Sequence, residues 1–256
     1  MKHANWRILV LVPLLAFGSA AHAAPWLEET FDAYAPGPLN GQGKWTGLPD
    51  AITVVSTNAL VGRAAYIDAD APMLPPFIPM VQRVIDVPAL GRHEFSFAVK
   101  IDTTTPFGDF QAALSLATSG MQTLAFQVES ARVSITLEHP LLDVIPKIAE
   151  FDLGDVPGGL PDVTTGAYHV FAFDLDLGET TGSGHVVRDV RLDGRSVADA
   201  FPAGLPAIIW LAGPNASLAL TNGSAMQPPE AIPDAVFFDN IAGRLQALEV
   251  RRWRLY

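Results

Sequence analysis

Apolar and polar side chains alternate along much of this chain, and a period of two restricts it to strand-based folds. The clearest segment is 93–102, in which Phe95, Phe97, Val99 and Ile101 share one face. Alternation of this kind places one side of a β-strand on a core and the other toward solvent. No apolar stripe of period 3.6 extends over a dozen residues, and the 21 prolines interrupt most candidate helices. The pattern predicts an all-β fold with little helix.

Two pairs of alternating segments predict antiparallel hairpins. The apolar positions change parity between Val128 and Val133, which requires a turn or bulge at 129–131. The segment 171–177 alternates again, and a glycine-rich stretch separates it from the apolar positions of 186–192. Because sandwiches of about 200–250 residues commonly form one domain, we predict a single two-sheet antiparallel β-sandwich over residues 24–256.

The first 23 residues have the layout of a signal peptide. Lys2 and Arg7 precede an apolar run at 8–17, and small residues at 21 and 23 form a signal peptidase site. The run is about half the ~20 residues of a transmembrane helix. We expect cleavage before Ala24, export by secretion or into a periplasm, and no membrane insertion of the mature chain. The alternative is an uncleaved N-terminal anchor.

Composition excludes several classes of function. The chain has no cysteine, which rules out a disulfide framework, a cysteine-ligated zinc site and a thiol nucleophile. Its 27 acidic and 16 basic residues give a formal net charge of −11. Binding to nucleic acid requires a cationic surplus that displaces counterions from phosphates. We therefore expect no nucleic acid partner.

Three segments together resemble the concanavalin A-like and laminin G-like jelly-roll family, as a secreted member. They are the entry segment Glu29–Trp45, the pair formed by Ala167–Asp176 and Val190–Gly194, and Phe237–Ile241 before a closing strand at 245–256. The resemblance implies a jelly-roll sandwich of two antiparallel sheets, in which the first and last strands pair.

The same resemblance implies a calcium site, because members of the family often hold one ion beside the terminal strands. Calcium takes oxygen ligands from carboxylates and loop carbonyls. Asp239 lies near the last strand, and Glu29 and Asp32 lie near the first. We therefore expect a structural Ca²⁺ held by these residues. The alternative is that Asp239 belongs to a turn and bonds the neighbouring backbone.

Glu150, Asp152 and Asp155 are the candidate catalytic carboxylates. Jelly-roll glucanases carry a Glu-x-Asp-x-x-Glu signature on one strand, and a bulge would bring Asp155 beside the other two side chains. A retaining glycosidase needs two carboxyl groups about 5–5.5 Å apart, one of them protonated. Here the third position is the shorter aspartate, and 154–159 has the composition of a turn. The alternative is a solvated strand end without catalytic function.

Trp45, which follows a glycine-rich loop, is the candidate for stacking against a sugar ring. We predict a secreted, non-catalytic module that binds a polysaccharide or other glycan or has an extracellular structural role. Two alternatives remain open. One is a glycoside hydrolase of the jelly-roll glucanase type, and the other is a matrix or surface protein without a small ligand.

Overall fold

The computed structural model describes residues 25–68, 80–86, 91–102, 112–117, 123–128, 132–138, 147–152, 166–177, 187–196, 216–222 and 235–246. Within these ranges the chain forms strands and turns and no helix. A membrane-crossing helix is accordingly not found among the described residues. The all-β fold predicted from the alternation is confirmed. The predicted signal peptide, residues 1–23, and Asp155 lie outside the described ranges.

The described residues contain sixteen strands. They are β1 (Leu27–Glu29), β2 (Gly37–Pro38), β3 (Trp45–Gly47), β4 (Thr53–Val55), β5 (Ala64–Asp68), β6 (Met80–Ile85), β7 (Gly91–Asp102), β8 (Ala112–Ala117), β9 (Thr123–Val128), β10 (Arg132–Glu138), β11 (Lys147–Asp152), β12 (Tyr168–Leu177), β13 (Val187–Leu192), β14 (Arg195–Ser196), β15 (Ala216–Asn222) and β16 (Ala235–Leu245).

These strands form two antiparallel sheets. The nine-stranded sheet has the order β14-β13-β12-β7-β16-β5-β4-β2, and β1 also pairs with β16. The seven-stranded sheet has the order β11-β10-β9-β8-β15-β6-β3. Both predicted hairpins are present, since β9 pairs with β10 and β12 pairs with β13. The two-sheet antiparallel sandwich expected from the sequence is therefore confirmed.

The first described strand pairs with the last, as the family resemblance implied. Leu27 lies opposite Gly243 and Glu29 opposite Ile241. The pairing strand is β16 itself, which contains the Asp-Asn-Ile segment, rather than the predicted strand at 245–256. Residues 247–256 of that predicted strand lie outside the described ranges.

The core lies between the sheets and is rich in phenylalanine. Phe97 is 1% exposed, and its ring centre lies 5.6–6.3 Å from those of Phe171, Phe173, Phe95 and Phe238. Phe95, Val99 and Ile101 are buried with it, so the face predicted from the alternation is confirmed. The opposite side of the nine-stranded sheet carries the polar residues of the same strands. We call this side the outer face.

Trp26 closes one end of this core by packing on Gly243. Its backbone amide donates to the Gly243 carbonyl at 2.9 Å, and its indole Nε1 donates to His93 Nδ1 at 3.1 Å. A Cβ atom at position 243 would lie 2.3 Å from the indole ring, so only glycine permits this approach. The pairing of β1 with β16 thus depends on one residue without a side chain.

A bulge in β16 sets the position of Asp239. The register against β7 shifts between Asp239 and Ala242, and Asn240 has a φ of 48°. Asn is one of the few residues that adopt this left-handed conformation readily. Asp239 pairs with Ala98 and lies on the outer face, where a loop crosses it.

Candidate functional site

Glu29 lies at the centre of a buried polar cluster that we call the entry cluster, formed with Tyr34, Trp45 and Arg83. Its side chain is 4% exposed. Oε2 accepts hydrogen bonds from Tyr34 Oη at 2.7 Å, Trp45 Nε1 at 3.1 Å and Arg83 Nη1 at 2.5 Å. Oε1 accepts from the Phe31 amide at 3.0 Å. Both carboxylate oxygens are therefore occupied by donors from the protein.

The entry cluster joins the two sheets. Glu29 belongs to β1 of the nine-stranded sheet, while Trp45 and Arg83 face each other on β3 and β6 of the seven-stranded sheet. Burial raises the pKa of Tyr34 to about 12, with further contributions from the hydrogen bond and the charge of Glu29. Tyr34 thus stays protonated at neutral pH and acts as a donor to the carboxylate.

Trp45 is 1% exposed, because its ring packs against Phe31 with centres 6.1 Å apart and its Nε1 donates to Glu29. Sugar stacking needs an open ring face. The prediction that Trp45 stacks against a sugar is therefore wrong, and the residue belongs to the core.

Asp239 holds a loop on the outer face of the nine-stranded sheet. Its Oδ2 accepts from the amides of Leu60 and Val61 at 3.1 and 3.3 Å, and Oδ1 accepts from the Asn240 amide at 2.7 Å. The side chain is fully buried, and burial raises its pKa although the three amides act in the opposite direction. The charge of Asp32, which contacts the same loop through the Arg63 amide, raises the pKa further.

Asp32 contacts the far end of the same loop. Its Oδ1 accepts from the Arg63 amide at 2.8 Å, and its backbone carbonyl accepts from Arg63 Nη1 at 3.0 Å. A Cβ atom at Gly62 would lie 2.0 Å from Asp32 Oδ1, and Gly62 has a φ of 67°. Glycine is thus required at this position by both conformation and space.

The residues predicted to bind calcium do not form one ligand set. Asp32 and Asp239 lie at the same loop, whereas Glu29 is bound within the entry cluster by Arg83. Calcium takes six to eight oxygen ligands, and here the carboxylate oxygens already accept N–H and O–H donors that point at the position of an ion. The described residues contain no group of three or more acidic or histidine side chains that could hold a metal. The three predicted ligands do not fit the ion.

The predicted catalytic segment lies at the edge of the seven-stranded sheet. Glu150 and Asp152 belong to β11, which pairs only with β10 in the described sheet. Glu150 lies opposite Ser134 and Asp152 opposite Arg132. Asp155 lies outside the described residues. The prediction for these three carboxylates remains a prediction.

The outer face carries a second polar group, which we call the Arg191 array. Arg191 Nη2 lies 2.8 Å from Glu94 Oε2 and 2.9 Å from Asp174 Oδ1, and Gln246 Nε2 donates to the same Asp174 oxygen at 3.0 Å. Asp189 Oδ2 lies 4.0 Å from Arg191 Nε. The four charged side chains are 27–33% exposed, so the array is held in place yet open to solvent.

Sequence reasoning did not single out Arg83 or Arg191. A signal existed for Arg83, because it shares strand parity with the buried residues Val81 and Ile85. An arginine at a core-facing position predicts a buried acidic partner, since an unpaired buried charge is costly. Arg191 has no comparable signal, because charged residues are ordinary on the outer face of a strand.

Comparison with known proteins shows likeness in structure alone. No model of a protein family matches the chain, and no curated protein matches it. The alginate lyase Aly36B, solved with an alginate tetrasaccharide, has a TM-score of 0.55 and 14% identity over 89% of this chain and 100% of its own. A carbohydrate esterase from the Shiga toxin-encoding bacteriophage phi24B has a TM-score of 0.51 and 13% identity over 88% and 100% of the two chains. The chain therefore shares its sandwich fold with carbohydrate-active proteins.

Proposed function

We propose that this chain is an exported, non-catalytic module that binds neutral glycans through the Arg191 array. The observation that carries the proposal is the arrangement of fixed, partly exposed donors and acceptors around Arg191. The shared sandwich fold supports a glycan ligand, and the signal peptide predicted at residues 1–23 supports export.

The geometry of the array suits hydroxyl groups. A sugar hydroxyl both donates and accepts, so it pairs with a carboxylate oxygen and with a neighbouring N–H group at the same time. Arg191 and Gln246 fix the direction of the acceptors on Asp174 before any ligand arrives. Such pre-organisation lowers the entropy lost on binding. The array therefore offers a rigid polar surface to an extended glycan.

The charge of the surface selects among glycans. The array has one guanidinium against three carboxylates, and the whole chain has a net charge of −11. A polyuronate such as alginate would bring its own carboxylates against this surface, and like charges placed together disfavour association. A neutral polysaccharide has no such cost. We therefore assign the array to neutral glycans, although the lyase with the same fold was solved with alginate.

The array also supports binding without hydrolysis. Glu94 and Asp174 both contact Arg191 Nη2, so each is bound as the anionic partner of one guanidinium. A glycosidase needs one carboxyl group that carries a proton to the leaving oxygen and a second that acts as nucleophile or base. As anionic partners of one guanidinium, Glu94 and Asp174 could act as a nucleophile or a base but not as the proton donor.

The Arg191→Ala variant should bind neutral glycans about ten- to a hundredfold more weakly than the wild type, because hydrogen bonds to a charged group contribute about 1.5–3 kcal/mol. The assay is retardation in native gels containing a soluble β-glucan, in which this acidic protein (pI about 4.8) migrates toward the anode. Lys44→Ala, in an exposed loop, removes the same charge as a control and should match the wild type.

Three results would contradict the proposal. Equal retardation of wild type and Arg191→Ala would show that the ligand does not contact the array. Stronger retardation in gels containing alginate than in gels with any neutral glucan would show that the charge argument is wrong. Self-association without retardation in any glycan gel would instead support a matrix or surface protein.

A further inference from the structure

We propose that this sandwich replaces the calcium ion expected beside its terminal strands with a cation of its own, the Arg83 guanidinium, and with backbone amides of the 60–61 loop. The residues concerned are Glu29, Asp32 and Asp239, which the family resemblance implied as calcium ligands. It does not depend on the glycan-binding function.

One guanidinium and two neutral donors surround the Glu29 carboxylate oxygen Oε2. A metal ion coordinated by Oε2 would meet the hydrogens of Tyr34 Oη, Trp45 Nε1 and Arg83 Nη1, all of which point toward that oxygen. These donors bring positive charge toward the carboxylate, as a bound cation would. Arg83 alone supplies a full positive charge at 2.5 Å, and its side chain is 22% exposed. The Arg83 guanidinium therefore occupies the position beside Glu29 that a bound cation would take.

Among the described residues, three backbone amides and no side-chain cation bind the Asp239 carboxylate. Successive amides of Leu60 and Val61 point at Oδ2, and the Asn240 amide points at Oδ1. Consecutive backbone N–H groups form a concave site for an anion, with partial positive charge on each hydrogen. Here the anion is a carboxylate of the same chain. An ion at Oδ2 would have to displace both loop amides.

Both sets of contacts hold the terminal strands β1 and β16 in place. The entry cluster ties β1 to β3 and β6, and Asp239 ties β16 to the 60–61 loop, so the terminal strands are fixed at both positions. Asp32 completes the attachment of the loop through the Arg63 amide. A metal ion beside the terminal strands would make the same kinds of connection. The chain achieves them with donors encoded in its sequence.

The first test uses the purified wild-type protein, whose Tm is measured in excess EDTA and in excess CaCl₂. We expect the same Tm in both buffers. A resident calcium ion at about a hundred times its Kd would raise the Tm by about 5–10 °C, given the usual sensitivity of a domain of this size. A rise of that extent would overturn the proposal.

The second test identifies the internal cation with variants of β6. Arg83→Met should lower the Tm by about 6–20 °C in either buffer, because removal of one partner leaves a buried charge uncompensated. Arg83→Lys keeps the charge, and since Arg83 Nε makes no hydrogen bond to the part of the chain that the structure describes, we expect less than half of that drop. Gln82→Met introduces the same side chain at an exposed neighbouring position and should leave the Tm unchanged. Equal losses in Arg83→Met and Arg83→Lys would show that packing, not charge, is the role of Arg83.

Discussion

Phe97→Ala should destabilise the protein by about 3–5 kcal/mol, the usual cost of removing a buried phenylalanine. The ring is surrounded by four other phenylalanine rings from β7, β12 and β16, so its removal leaves a cavity lined by those rings. A loss of this size is a large fraction of the ~5–15 kcal/mol that stabilises a domain. Guanidinium unfolding measures it directly.

The matched control for Phe97 is Val170→Ala on the neighbouring strand. Val170 is 41% exposed on the outer face, so its truncation should cost about 0.5 kcal/mol or less. Similar unfolding midpoints for Phe97→Ala and wild type would show that the phenylalanine cluster is not the core of the sandwich.

Glu29→Ala should cost about 3–5 kcal/mol, because it leaves the guanidinium of Arg83 and three other buried donors without their common acceptor. Glu28→Ala provides the control one residue away, since Glu28 is exposed on the opposite face of β1 and should change stability by about 0.5 kcal/mol or less. The measurement is again the free energy of unfolding. If the two variants have equal stability, the entry cluster does not hold the sheets together.

Alternation along single strands was sufficient to predict much of the fold. Phe95, Phe97, Val99 and Ile101 face the core because successive strand residues point to opposite sides, and this depends on local geometry alone. The two hairpins followed from parity changes and turn residues within about twenty positions. The pairing of the first and last strands came from the family resemblance and not from periodicity.

The candidate sites could not be predicted in the same way, because they join residues far apart in sequence. Glu29 and Arg83 are separated by 54 positions, and Asp239 is separated from Leu60 by 179. No local pattern reports which side chains meet across the two sheets. Glu29 was predicted near the first strand, and the family resemblance implied that this strand pairs with the last, as it does. The partner that decides the role of Glu29 nevertheless lies on β6 of the other sheet.

Trp45 shows the same limit. A tryptophan after a glycine-rich loop is compatible with exposure, since such loops lie at the surface. Its burial depends on contacts with Phe31 and Glu29, which lie 14 and 16 positions earlier in the chain. A tryptophan that donates its indole N–H to a buried carboxylate satisfies the polar atom without solvent, and burial then has little polar cost.

The most direct test of binding without catalysis is a time course with wild-type protein and a soluble β-glucan, in which retained polysaccharide and newly formed reducing ends are measured together. We expect retention of the polysaccharide with no increase in reducing ends, and Glu150→Gln should retain it within about twofold of wild type, because the proposed binding surface is the Arg191 array on the other sheet. Reducing ends that accumulate with wild type and are absent with folded Glu150→Gln would contradict the account, because they would identify Glu150 as a catalytic residue of a glycoside hydrolase.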